Sequence, residues 1–243
     1  MKKIVSVIYF YFTTFIRSSK YVMPLSFLVF LQLLLYLAAG SRPAEFLANI
    51  FLAEIFTFSI AIWLGFSSNK WIDEATEQLL ILRIKSDKAY YSIYVAFLFF
   101  ISAIISLITI LIPTIISLID AGFFEHFGII YFSQSFLLFL GSSFAGISLG
   151  ALFHPRLMDS KSELPLSAAV VGLFSITRYP AVDHYELMRY VLWFFPNVSA
   201  HHSVISNSSY FTFPVVGGLF LINMLYGLVY SVVKVTLLSR KKS

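Results

Sequence analysis

The chain of 243 residues is 59% hydrophobic and 12% charged, and its mean hydropathy is +0.86. Soluble domains are about 45–50% apolar and about 25% charged, so this composition excludes a soluble domain and predicts an integral membrane protein. The chain contains no cysteine, which excludes disulfide bonds, thiolate metal sites and a cysteine nucleophile. Its formal net charge of +5 is typical of nucleic-acid binding, but the positions of the basic residues assign it to membrane topology instead.

Residues 1–21 predict an amphipathic helix that lies at the membrane surface. Their apolar run is shorter than the roughly 20 residues that a spanning helix needs. Four basic residues flank this run, as in helices that lie in the headgroup plane: Lys2, Lys3, Arg17 and Lys20. No small-residue cleavage site follows, so we expect the segment to be retained rather than removed as a signal peptide.

Six longer apolar runs follow and predict an all-α integral membrane protein with six transmembrane helices, a single permease-like domain over residues 1–243. The runs cover residues 22–40, 46–68, 92–119, 127–153, 164–177 and 213–238. All except the fifth have about the length that crosses roughly 30 Å of hydrocarbon at 1.5 Å per residue.

The fifth run is short, and the mixed segment after it, residues 178–212, contains a second apolar patch that ends at Pro196. This pattern predicts an external region whose helices partly re-enter the bilayer, with protein or water around the non-helical backbone. The alternative is an ordinary fifth span that begins near Leu157, followed by a surface loop with one amphipathic helix.

The basic residues are distributed asymmetrically between the two sides of the predicted spans. Only Arg42, Arg178 and Arg189 fall on one side. The other side receives all the remaining lysines and arginines, including Lys161 and the C-terminal group of Lys234, Arg240, Lys241 and Lys242. By the positive-inside rule, this places both termini in the cytoplasm, in agreement with an even number of spans. We therefore expect a multi-pass protein of the plasma membrane.

Few residues in the spans suggest chemistry. The P-loop pattern is absent, so the chain lacks an ATPase motif of its own and is not predicted to be an enzyme. Glu54 is the only carboxylate clearly inside an apolar run, where it serves a structural or pore-lining role or a coupling role. Gln32, Gln134 and Asn223 are single polar residues of the kind that join neighbouring helices. Gln32, Glu54 and Asn223 are the candidate residues of a transport pathway.

The adjacent histidines His201 and His202 do not predict a metal site. Neighbouring residues on a helix face different directions, and the H-E-x-x-H pattern is absent. We therefore predict that both belong to a hydrated external loop, with a metal or substrate contact as the alternative. No catalytic residue is assigned.

The fourth apolar run contains small residues at every fourth position: Ser142, Gly146 and Gly150. Such a stripe lies along one side of a helix and allows close helix packing, which in a membrane has no hydrophobic driving force. The stripe predicts packing against a helix of the same chain or of a partner subunit.

The charged segment of residues 69–91 lies between the second and third runs, on the predicted cytoplasmic side. It contains no proline or glycine and predicts one amphipathic helix, with Asp73 and Glu74 in its first turn and basic residues near its end. Helical periodicity predicts that one face carries Trp71, Ala75, Gln78, Leu79 and Leu82, while Asp73, Glu74 and Glu77 lie elsewhere. An acidic first turn suits a protein partner at least as well as a lipid surface.

This layout resembles the permease subunit of ABC-type exporters of the second type. The stretch DEATEQLLILRIKSDKAYY is similar to the family's coupling-helix region, and FFPNVSAHHSV is similar to its motif before the last span. The opening FIRSSKYVMPLSFLVFLQLLLY resembles bacterial members associated with antimicrobial peptides.

The resemblance implies a dimer of permeases, identical or paralogous, each docked on a separate ATPase subunit that binds ATP and Mg. It implies that the permease itself binds no cofactor and no nucleic acid. It also implies export of an amphipathic or hydrophobic substrate, a peptide or bacteriocin above all, or immunity to one. The implied coupling residues are Trp71, Asp73, Glu74, Glu77, Leu79, Leu82 and Arg83.

Two other classes of function stay open from the sequence. One is an integral membrane enzyme with an external site of His, Asp and Glu residues. The other is a membrane assembly protein that transports nothing. Loss of activity on mutation of His201 and His202 would favour the enzyme.

Overall fold

The computed structural model describes residues 2–38, 45–119, 129–157, 163–201, 203 and 211–240. Over these residues the chain is helical, without strands. The helices are α1 (Lys2–Ser18), α2 (Val22–Ala38), α3 (Glu45–Ser68), α4 (Glu74–Ile84), α5 (Asp87–Ile119), α6 (Ile129–Ala151), α7 (Leu164–His184), α8 (Met188–Val191) and α9 (Phe213–Arg240). Arg42, Lys161, His202, Lys241 and Lys242, which the sequence assigns to one side of the membrane or the other, lie outside the described residues.

Four of the described helices contain segments long and apolar enough to cross a membrane: Asn49–Ser68, Asp87–Ile119, Ile129–Ala151 and Phe213–Arg240. Val5–Ser18 and Val22–Leu37 pass the same test as a pair, but they are bent by 71° and make a fifth candidate only if they form one span. The chain is therefore a helical membrane protein with four or five candidate spans by length and composition.

Helix α6 is central and packs most extensively against α3 and α9. Gly146 and Gly150 lie directly against the backbone carbonyls of Phe58 and Ile62 on α3, where a side chain would overlap the carbonyl. The small-residue stripe thus faces a helix of the same chain. Because these glycines have no side chain, the backbones of α3 and α6 come into direct contact.

Helix α1 packs onto the domain through one apolar stripe. Val7, Tyr11 and Phe15 are four residues apart and are buried, which follows from the helical repeat. The Tyr11 ring stacks on Phe97 of α5 with centroids 5.3 Å apart. Exposed residues such as Tyr9 occupy the other side of the helix.

The prediction of one helix over residues 69–91 is wrong, because the segment contains two helices. Helix α4 begins after Asp73, whose side chain accepts a hydrogen bond from the Thr76 N–H. Hydrogen bonds from the Thr76 side chain and from its backbone N–H lower the pKa of the Asp73 carboxyl. It ends at Lys85, which has left-handed backbone angles, with φ of 64°, and donates its N–H to the Ile81 carbonyl. Helix α5 then begins at Asp87.

The predicted external region, residues 178–212, begins inside a helix, since α7 continues to His184. After the short helix α8, residues 192–201 turn back onto the helices, and we call them the return segment. Val198 of the return segment is buried with Phe58 of α3, Ala145 of α6 and Tyr230 of α9. Residues 202 and 204–210 lie outside the described residues.

Candidate functional site

Among the described residues, two clusters of polar side chains contain buried ionisable groups. The first, which we call the charged-end cluster, joins α3, α4, α5 and α9 to the turn after α6, and its members are Asn69, Glu77, Tyr91, Tyr94, His154, Arg156 and Lys234. The second, the Glu54 cluster, contains Glu54, Ser142, His201 and Asn223.

Glu77 connects α4 to the rest of the charged-end cluster. Its side chain accepts a hydrogen bond of 3.0 Å from the Tyr91 hydroxyl on α5. Its other carboxylate oxygen lies 3.2 Å from Nη2 of Arg156, whose Nε donates to Glu74 at 2.9 Å. Because Arg156 follows α6, these contacts tie α4 both to α5 and to the end of α6.

Lys234 extends the same cluster to α9. Its ammonium group is buried, donates to Asn69 Oδ1 at 2.8 Å and lies 4.1 Å from the centre of the Tyr94 ring. The Asn69 amide donates to the carbonyls of Ala151 and Phe153, at 3.2 and 3.0 Å. One asparagine side chain therefore links the ends of α3 and α6 to α9.

His154 is a neutral member of this cluster. Burial, together with the nearby positive charges of Lys234 and Arg156, lowers its pKa to about 3. Beside it is a cavity of about 30 Å³, lined by Ser68, Asn69 and Glu77 among others. That volume holds about one water molecule, so the cluster is a junction between helices and has no room for a substrate.

The face predicted to carry Trp71, Ala75, Gln78, Leu79 and Leu82 is turned outward, except at Trp71. Trp71 is buried, but Leu79 and Leu82 are 67% and 70% exposed, and Ala75 and Gln78 are exposed as well. The buried side of α4 instead carries Glu77, 7% exposed, and Leu80. The carboxylate can be buried because Tyr91 and Arg156 satisfy it, a tertiary contact that periodicity cannot reveal. Of the predicted acidic and basic residues, Asp73, Glu74 and Arg83 stay exposed.

The Glu54 cluster lies between α3, α6, α9 and the return segment. Ser142 of α6 donates a hydrogen bond to Oε1 of Glu54, and Nδ1 of His201 lies 2.6 Å from the same oxygen. Asn223 of α9 donates to the Ser142 hydroxyl at 2.9 Å. Glu54, Ser142 and Asn223 are inaccessible, and His201 is only 3% exposed.

The prediction that His201 lies in a hydrated loop is therefore wrong. The return segment is held against the helices by hydrogen bonds to its backbone carbonyls. Arg178 of α7 donates to Phe195, and two tyrosines of α9 donate to Trp193 and Phe194: Tyr226 and Tyr230. These bonds satisfy three successive backbone carbonyls outside the regular helices, and they help to place His201 beside Glu54.

Several acceptors near this cluster lack a hydrogen-bond partner among the described residues. They include Oε2 of Glu54 and Oδ1 of Asn223. Gln32, the third candidate pathway residue, is buried on α2, and neither of its amide atoms is hydrogen-bonded to Glu54 or to any other described residue. Gln134 is also buried, and its side-chain oxygen has no described partner.

The geometry limits the chemistry of the Glu54 cluster. The Ser142 hydroxyl donates to the carboxylate and not to the imidazole, so it lacks the contact by which a histidine activates a serine nucleophile. No group of three or more His, Cys, Asp or Glu residues in the described ranges is arranged to hold a metal ion. What the cluster does provide is a buried acid beside a buried base.

The charge count assigned Lys234 and Arg178 to loops or chain ends. In the structure Lys234 is buried, Arg178 is half-buried, and both hydrogen-bond to other parts of the domain. The signal for Lys234 was its place inside the last apolar run, one helical turn after Tyr230. For Arg178 the signal was its place one residue after the fifth apolar run.

Comparison of the chain with protein-family models, curated proteins and solved structures found no match.

Proposed function

We propose that this chain is the membrane-spanning subunit of an ATP-driven exporter of the second ABC type, and that a separate ATPase subunit docks on α4. The observation that carries the proposal is the division of α4 into two faces. One face presents Leu79 and Leu82 to solvent, and the other is fixed to the domain through Glu77. Exposed leucines on a short charged helix are suited to contact with another protein.

The buried face gives α4 a mechanical connection to the helices. A displacement of α4 must break the contacts of Glu77 with Tyr91 and Arg156, or else move α5 and the end of α6 with it. Lys234 and Asn69 connect the same region to α9. Docking and release of an ATPase at α4 would in this way shift several helices together, because packed interfaces change between discrete arrangements and do not deform continuously.

The proposed topology has six spans, with α2, α3, α5, α6, α7 and α9 crossing the plasma membrane and both termini in the cytoplasm. The excess of lysine and arginine at the end that carries α4 supports this orientation. In this topology the region of residues 178–212 is external, and the return segment is its re-entrant part. The satisfied carbonyls of residues 193–195 support this assignment, since non-helical backbone at membrane depth needs partners.

The proposed substrate is an amphipathic or hydrophobic molecule, a peptide or bacteriocin in the first place. The spans are aromatic and aliphatic with few charges, which suits such a substrate better than a sugar or an ion. A second permease copy or paralogue would complete the pathway, with ATP and Mg bound by the ATPase subunit. Glu54 and Asn223 are the pathway candidates that the structure brings together.

The test is purification of the tagged chain from its native membrane, followed by assay of ATP hydrolysis and identification of a soluble P-loop ATPase. In the double variant Leu79→Asp and Leu82→Asp, we expect the amount of ATPase that co-purifies with the chain to fall about tenfold or more, because a charge disrupts an apolar contact. Leu187→Asp is the control, since Leu187 is also exposed but lies away from α4, and this variant should retain the ATPase.

A third variant separates docking from coupling. Glu77→Gln changes a buried residue, so the ATPase should still bind while ATP-dependent transport falls. Absence of any ATPase from the purified wild-type protein, with no stimulation by an added one, would refute the proposal.

A further inference from the structure

We propose that Glu54 and His201 form a proton-binding site inside the helical domain, and that a second proton taken up on Oε2 of Glu54 releases the return segment from α3. The observation is an acid and a base, both buried, with Nδ1 of His201 2.6 Å from Oε1 of Glu54. This inference does not depend on the proposed exporter function.

The two carboxylate oxygens of Glu54 are not equivalent. Oε1 receives the Ser142 hydroxyl and faces His201, whereas Oε2 is buried with no hydrogen-bond partner among the described residues. A bare carboxylate oxygen in a low-dielectric site is costly, and a proton is the smallest ligand that removes the cost. Oε2 is therefore the position at which the pair takes up a proton from water.

The number of protons on the pair decides whether the contact is favourable. With one proton, the pair is either an ion pair or two neutral partners, and both are hydrogen-bonded. With two protons, a neutral Glu54 faces an imidazolium that has lost its counter-ion, which is unfavourable in a buried position. Acid should therefore weaken the contact.

The surroundings offer no compensation for that charge. The side chains hydrogen-bonded in the cluster around the pair are neutral polar groups: Ser142 of α6 and Asn223 of α9. The charged side chain that bonds the return segment is a cation, Arg178 of α7, and the buried charged residue of α9, Lys234, is a cation as well. The one other buried carboxylate among the described side chains, Glu77, belongs to the charged-end cluster.

Release should affect one end of the return segment. Residues 193–195 are held by Arg178, Tyr226 and Tyr230, none of which, in the described part of the chain, is hydrogen-bonded to Glu54. Val198 and His201 are held by packing and by the Glu54 contact. Proton uptake should therefore expose the part of the segment around residues 198–201 and leave its beginning in place.

The chain contains no cysteine, so a single introduced thiol reports on this movement. Ser199→Cys is nearly isosteric, and the Ser199 hydroxyl is buried. The measurement is the rate of maleimide labelling of the full-length protein in detergent at pH 7.5 and pH 5.0. Each rate is divided by that of Tyr190→Cys, an exposed position, which removes the intrinsic pH dependence of thiol reactivity.

We expect the labelling ratio to rise about tenfold or more on acidification, because loss of one charge-assisted hydrogen bond shifts the equilibrium toward the released segment by about that factor. His201→Gln should abolish the rise, and His184→Gln, which changes an exposed histidine, should retain it. If His201→Gln does not fold, Glu54→Gln provides the same test, because it removes the oxygen that takes up the proton. A ratio independent of pH in the parent protein, or a rise that persists in the His201 or Glu54 variant, would overturn the inference.

The assay requires no ATPase and no substrate. Failure of this test would therefore leave the exporter proposal standing, and failure of the ATPase purification would leave the proton site standing.

Discussion

Asn69 is the residue on which the junction at the charged end depends most. Its amide oxygen accepts from the buried Lys234 ammonium, and its amide nitrogen donates to two backbone carbonyls at the end of α6. A buried ammonium that makes no direct salt bridge is tolerated when hydrogen bonds and an aromatic face replace water. Tyr94 supplies that face.

We expect Asn69→Ala to lower the free energy of unfolding by about 1.5–3 kcal/mol, because it leaves a buried charged donor without its acceptor. The measurement is unfolding by denaturing detergent, followed by circular dichroism. Lys234→Met alone should cost less, since the apolar side chain needs no acceptor.

The double variant Asn69→Ala with Lys234→Met is the control. It should be less destabilised than the sum of the two single changes, because residues that share a hydrogen bond are not additive. Additive effects would mean that the two side chains act independently.

At the level of elements, the packing of α6 against α3 depends on glycines, which have no side chain. Gly146 and Gly150 allow the α3 carbonyls to lie against α6, and Gly65 of α3 makes the reciprocal approach to Ile147. Dispersion contacts between the two backbones stabilise the pair, since burial from lipid contributes little. Helix α6 can in this way serve as the support on which Ser142 is placed beside Glu54.

We expect Gly150→Ala to destabilise the protein by about 1–3 kcal/mol, because the added methyl group overlaps the Ile62 carbonyl and forces the helices apart. Gly217→Ala on α9 is the matched control, since nothing lies within 4 Å of the added atom. It should be neutral or stabilising by up to about 1 kcal/mol through helix propensity. Equal destabilisation by both substitutions, measured by thermal unfolding, would contradict the close-packing account.

At the level of the whole molecule, charge separates the two ends of the domain. The buried cluster around Glu77 and the exposed residues of α4 lie at the end that also carries Lys70 and Arg240. The connection after α7, with Tyr185 and Tyr190, presents mainly exposed aromatic and apolar residues. Retention of positively charged loops on the cytoplasmic side would orient such a chain during insertion.

We expect the two ends to lie on opposite sides of the membrane, with the α4 end inside. The absence of native cysteine again makes the test direct. An impermeant maleimide should label Tyr190→Cys in intact cells, and should label Leu79→Cys only after the membrane is opened. Labelling of both positions from the same side would contradict the topology.

The sequence determined the properties that depend on composition and on local pattern. A chain with so few charges must place its apolar runs in lipid, and helices are the means by which a single continuous segment satisfies its own backbone there. The start of α4 followed from the acidic residues at its first turn, and the small-residue stripe on α6 followed from the four-residue repeat.

The tertiary structure alone decided which polar residues are buried and with what partners. Periodicity placed Leu79 and Leu82 on a different face of α4 from Glu77, but it did not decide which face is buried. Tyr91 and Arg156 satisfy Glu77 and turn its face inward. His201 and Glu54 are 147 residues apart in sequence, and the hydrogen bonds that hold the return segment bring them together. Burial of a polar group is favourable only when a partner is present, and for these residues the partners come from distant parts of the chain, where no local pattern records them.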